Sequence, residues 1–134
     1  MTGPAHAPSP KDWVQRAEND LRNAEHTLTL VEDCPFDTIC FHAQQCAEKY
    51  LKALLTFRGI PFRYTHDLID LFGSLPQADQ PALGQIRLGV LTPYVVEGRY
   101  PGTAELNRAE AERAVAIAHR TRDAVRALLP NDAL

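Results

Sequence analysis

The chain has 134 residues, a formal net charge of −3 and 45% hydrophobic residues. That length predicts one domain that can bury a core without disulfides. The slightly acidic balance excludes a global positive field for nucleic acid or membrane and leaves only local basic patches open. No apolar run approaches the roughly 20 residues of a membrane span. Cys34, Cys40 and Cys46 are odd in number, and no signal peptide precedes them; together these predict reduced thiols in a cytoplasmic protein. Their spacing does not suit zinc, and no metal site or cofactor is expected.

Residues 1–9 lack a hydrophobic signal core and read as a disordered tail; residues 10–130 read as the helical domain. The first helix is predicted from Pro10 to about Val31, with Ser9 as its N-cap. Trp13, Ala17, Leu21, Ala24, Leu28 and Val31 recur at intervals of three and four, a core-facing stripe. Asp33-Cys34-Pro35 breaks it. The second helix is predicted over 36–57, ending at Gly59. Its apolar side carries Cys40, Ala43, Ala47, Tyr50, Leu51 and Leu54. Its polar stripe carries His42, Gln45, Lys49 and Lys52. That stripe has two readings: a solvated face with Glu48 pairing Lys52, or a seam that meets a second subunit or an anion.

A short third helix is predicted over 67–75, opened by Thr65 as N-cap, with Leu68, Leu71, Phe72 and Leu75 inside. His66 and Asp67 fit capping and a favourable charge near the helix start. The alternative is that His66 leans into the cleft of His42. A fourth helix is predicted over 82–91 and stopped by Pro93. Tyr94 to Val96 is the one stretch with any strand-like alternation. Residues 92–106 are irregular and hold Tyr94, Arg99 and Tyr100. Arg99, between Gly98 and Pro101, suits a planar grip on phosphate or a tie to helix carbonyls. The fifth helix opens at Asn107, with Glu110 completing a capping-box pattern. It runs to about Leu129, burying Ala114, Ile117, Ala118, Thr121, Val125 and Leu128. The sum is an all-α bundle.

Four segments together resemble one family: the Trp13–Ala24 helix with Asp20-Leu21, CFHAQQCAEKYLKALL from Cys40, Tyr64-Thr65-His66-Asp67-Leu68, and LTPYVVEGRYPG from Leu91. This combination is similar to the HEPN domain, the nucleotide-binding domain of higher eukaryotes and prokaryotes. The resemblance implies an up-and-down bundle of four to five helices that forms a homodimer. It also implies a minimal nucleotidyltransferase as partner, in a toxin–antitoxin-like pair. A nucleotide or an RNA phosphate would bind a cleft lined by His42, Gln45, Lys49, Tyr94, Arg99 and Tyr100. Lys49 and Arg99 would hold the phosphate, and Tyr94 or Tyr100 would stack on a base.

Many members of that family are metal-independent ribonucleases that use Arg, four to six residues, then His. No His follows Arg99 at that spacing, since 104–106 are Ala, Glu and Leu. Arg113 and His119 match it numerically, yet point about 120° apart on a regular helix. If the chain is an endoribonuclease, acid–base work falls to His119 or His42, with Arg113 or Arg99 on the phosphate. The third alternative is a non-catalytic interaction protein.

Overall fold

A computed structural model describes residues 7–95 and 104–134. Among them are helices α1 (Pro10–Leu28), α2 (Phe36–Phe57), α3 (Leu68–Gly73), α4 (Gln80–Leu83) and α5 (Arg108–Leu128), and no strand. Two short 3-10 segments cover Leu88–Val95 and Asn131–Ala133. The bundle is the all-helical architecture predicted.

α2 is the hub. It packs most extensively against α1, then α5, and also meets α3 and the Leu88–Val95 segment. Small residues make this close approach feasible. Ala17, Ala24, Ala43, Ala47, Ala53, Ala111, Ala114 and Ala118 are all inaccessible to solvent. Tyr50, Leu51, Leu54 and Leu55 fill the space that these alanines leave. The apolar side predicted for α2 is therefore the core side.

The long-helix caps follow the sequence signals. The Ser9 hydroxyl accepts from the Asp12 amide at 3.1 Å, and the Asp12 carboxylate accepts from the Ser9 amide at 2.9 Å. Asn107 and Glu110 repeat that exchange at 2.9 and 3.2 Å. α2 ends in a Schellman motif. Ile60 N–H reaches Leu55 O at 3.0 Å and Gly59 N–H reaches Thr56 O at 3.1 Å. Gly59 has φ +70, which explains glycine there.

Other boundaries differ from expectation. α1 stops at Leu28, three residues before Val31, and Val31 is 91% exposed instead of in the core stripe. The end of α1 is held from far along the chain. Arg108 donates to the carbonyls of Leu28 and Leu30 at 3.0 and 2.8 Å and sets its guanidinium 5.1 Å from the Phe36 ring centre. α3 is capped by Asp67, not Thr65. The Asp67 carboxylate accepts from the amides of Ile69 and Asp70, while Thr65 Oγ accepts from Asp67 N–H one step upstream.

The predicted fourth helix divides into two. One turn, Gln80–Leu83, precedes Gly84, and the 3-10 segment follows. Pro93 sits inside that segment instead of stopping it. Tyr94 lies there too, so its strand-like alternation reflects no strand; Val96 is outside the described residues. Of its predicted apolar residues, Leu83 and Leu88 are buried and Ile86 and Val90 half-buried; Leu91 is buried as well.

Candidate functional site

The polar stripe of α2 is neither fully solvated nor free. It divides between two buried carboxylates. Asp20 of α1, 8% exposed, accepts from the Lys49 ammonium and faces His42 Nδ1 at 2.8 Å. A carboxylate only accepts, so Nδ1 carries the proton and Nε2 points elsewhere. Asp20 thus holds two of the predicted ligand residues side by side. Both keep part of their surface in water, 19% for His42 and 23% for Lys49. Lys49 also lines a groove of about 510 Å³ with Asp12, Trp13, Gln15 and Arg16.

The second carboxylate is Glu48, on α2 itself and buried. It accepts from Gln44 at 3.1 Å, Lys52 at 3.0 Å and His66 Nδ1 at 2.8 Å. Burial pushes its pKa up, but these three hydrogen bonds outweigh burial and hold the carboxyl below its ordinary range. Lys52 is buried as well. Its ammonium lies 5.5, 5.8 and 5.6 Å from the ring centres of Trp13, Phe62 and Tyr64. The predicted Glu48–Lys52 pair is present, and its expected solvation is not: the segment after α2 folds back over it. Gln44 donates to His66 O at 3.2 Å and Gln45 donates to Gln44 Oε1 at 2.6 Å. The paired glutamines therefore stitch α2 to that segment. His66 reaches Glu48, whereas His42 reaches Asp20.

A third knot joins α1, α2 and α5. Glu18 accepts from the Tyr50 hydroxyl and from Arg122 Nε at 2.9 Å, and Arg126 donates to the Tyr50 oxygen at 3.3 Å. Burial raises the Glu18 pKa, and the Arg122 and Tyr50 hydrogen bonds more than reverse that. Burial and the Glu18 hydrogen bond both push the Tyr50 hydroxyl up, so it stays a donor.

The remaining candidates separate. Tyr94 is buried, and burial is the main cause raising the pKa of its hydroxyl, an effect that Arg113 partly offsets. His119 instead faces Glu25 of α1 at 3.3 Å, in a groove that Arg113 does not line. The structure does not bring Arg113 and His119 together, as their angular separation on α5 foretold. Arg99 and Tyr100 lie outside the described residues. Among the described residues no cluster of three His, Cys, Asp or Glu side chains is arranged for a metal. No helix there is long and apolar enough to cross a membrane.

Sequence reasoning missed Glu18 and Arg122, and met Asp20 only as part of a motif and Glu48 only as a surface partner. A signal existed for two of them. Asp20 falls on the stripe of Ala17, Leu21 and Ala24, and Glu48 lies between Ala47 and Leu51. An acid at a core-facing position needs a partner inside.

An all-helical bundle wrapped on a hub helix, with a buried acid fixing His42 and Lys49, is the class the geometry defines. The HEPN domain model matches residues 10–128, and the chain belongs to the HEPN family. The crystal structure of TT1696 from Thermus thermophilus superposes with a TM-score of 0.70 at 30% identity, covering 90% of this chain and 98% of that one. That of ST0689, an archaeal HEPN homologue, superposes with a TM-score of 0.69 at 26% identity, covering 91% and 98%. No curated protein matches the chain.

Proposed function

We propose that this HEPN domain works as a homodimer that binds the phosphate of a nucleotide or of RNA, and that it acts with a minimal nucleotidyltransferase in a toxin–antitoxin-like pair. The observation that carries the binding role is the Asp20 clamp. A buried carboxylate that fixes an ammonium and an imidazole together costs desolvation, and its return is pre-organised, partly exposed donors. Lys49 supplies charge at the rim of the groove shared with Arg16 and Trp13, and His42 supplies Nε2. Gln45 stands between them on the same helix face, three residues after His42 and four before Lys49. Arg99 is assigned the second grip on phosphate. Tyr94 is buried within the protomer, so stacking on a base falls to Tyr100.

Within one chain Arg113 lies by Tyr94 and His119 faces Glu25, so the endoribonuclease alternative rests more on His42 with Arg99. Calorimetry with nucleotide and with a short RNA tests the binding proposal. Arg99→Ala should weaken binding about tenfold or more while sedimentation still reports a folded dimer. Unchanged affinity removes Arg99 from the site. A monomeric wild-type protein would overturn the dimer.

A further inference from the structure

A second groove, of about 570 Å³, runs between α1 and α5 and shares no lining residue with the groove at Lys49. Its size falls in the range of about 300–1,000 Å³ typical of small-molecule sites. α1 contributes Arg22 and His26, and α5 contributes His119 and Arg122. Two acids, Glu18 and Glu25, also line it, but both are already engaged. Glu18 accepts from Arg122 and Tyr50, and Glu25 faces His119 at 3.3 Å, a long contact.

What remains is cationic. Among the described residues, the Arg22 guanidinium has only the neutral Asn19 amide as partner, at 3.3 Å, near the limit of a hydrogen bond. The His26 ring has no side-chain partner among them; only its backbone carbonyl is used, by Thr29. Arg22 and His26 are four residues apart, so they stand one above the other on the same helix face. The negative end of α1 lies near His26 and would oppose an anion. Arg108 offsets it by taking the carbonyls of Leu28 and Leu30.

We propose that the α1–α5 groove binds a phosphate group, free or as a monoester. Arg22 and His26 are its donors, while His119 stays on Glu25 and keeps that carboxylate engaged. A guanidinium fork one turn from an imidazole N–H suits a phosphate oxyanion better than a neutral ligand. The site is independent of the cleft at Lys49 and stands or falls separately from it.

The test follows the imidazole carbon–proton signals of His26 and His119 in the full chain by NMR. Inorganic phosphate, adenosine 5′-monophosphate and adenosine are titrated in turn to about 50 mM, enough to saturate a millimolar site. Phosphate and the monophosphate should shift both sets of signals saturably. Arg22→Gln should weaken that binding about fivefold or more, with the amide spectrum unchanged elsewhere. Tighter binding of the monophosphate identifies a nucleotide as the ligand, and equal binding identifies phosphate itself. No saturable shift, an equal response to adenosine, or unchanged binding by Arg22→Gln overturns the proposal.

Discussion

Replacing Lys52 by Met tests whether the buried pair under Trp13, Phe62 and Tyr64 holds the segment after α2 in place. Met keeps most of the apolar stem, so packing changes little. The ammonium is lost, and with it the 3.0 Å hydrogen bond to Glu48 and three ring contacts. Glu48, 3% exposed, is left with Gln44 and His66. Breaking one side of a buried pair typically costs about 3–5 kcal/mol. Two surviving donors place the expectation at the low end, about 3 kcal/mol. For a domain of this size that is roughly a 10 °C fall in Tm, at fixed protein concentration. A cycle of Lys52→Met, Glu48→Gln and the double variant should give a coupling of about 2 kcal/mol in urea unfolding. The pH dependence has a defined sign. Glu48 has a depressed pKa in the folded state, so its stabilisation is present above the unfolded carboxyl's value of about 4.3 and is lost as pH falls through the folded one. Removing Lys52 lessens that depression, so the gap between variant and wild type should narrow in acid. A coupling below about 0.5 kcal/mol, or a gap that widens in acid, would refute the assignment of stability to this pair.

Two further outcomes follow from the same interior. Tyr50→Phe deletes the hydroxyl that donates to Glu18 and accepts from Arg126, and should cost about 1–2 kcal/mol in urea unfolding; no loss would mean that Arg122 alone satisfies Glu18. Cys46 has its thiol pushed well above the ordinary range, first by burial and then by the Asp20 and Glu18 charges. Cys40 is equally inaccessible, and Cys34 is only half-buried. Ellman's reagent on the native protein should therefore label Cys34 alone, and all three thiols in guanidinium; native labelling of Cys46 would contradict its burial.

The helices themselves were readable because an apolar stripe of period 3.6 has one burial solution. Ala17, Leu21 and Ala24 on α1, and Ala114, Ile117 and Ala118 on α5, went inward as their spacing required. Local caps, Ser9 alone and Asn107 with Glu110, were equally legible because a cap and its partners lie within one turn. What stayed hidden depends on residues far apart in the chain. Nothing near Asp20 announces Lys49, and nothing near Lys52 announces Phe62 and Tyr64. The predicted site was accordingly half legible. His42 and Lys49 do stand together, while Lys52 and Tyr94 turned inward to partners that periodicity cannot name. The fourth helix failed for a local reason, since Gly84 and Gly89 interrupt ten residues that are otherwise apolar enough for a helix.

Arg108 has a consequence for how the molecule opens. One guanidinium at the start of α5 closes the end of α1 and covers the first ring of α2, across 80 residues of chain. Those three helix ends cannot fray one at a time without stranding a charge or two carbonyls. In amide exchange they should open as a single cooperative unit, whose protection rises and falls with the docking of α5. The corner where three helix ends meet, which would ordinarily be the loosest place in a bundle, is thereby made answerable to its core.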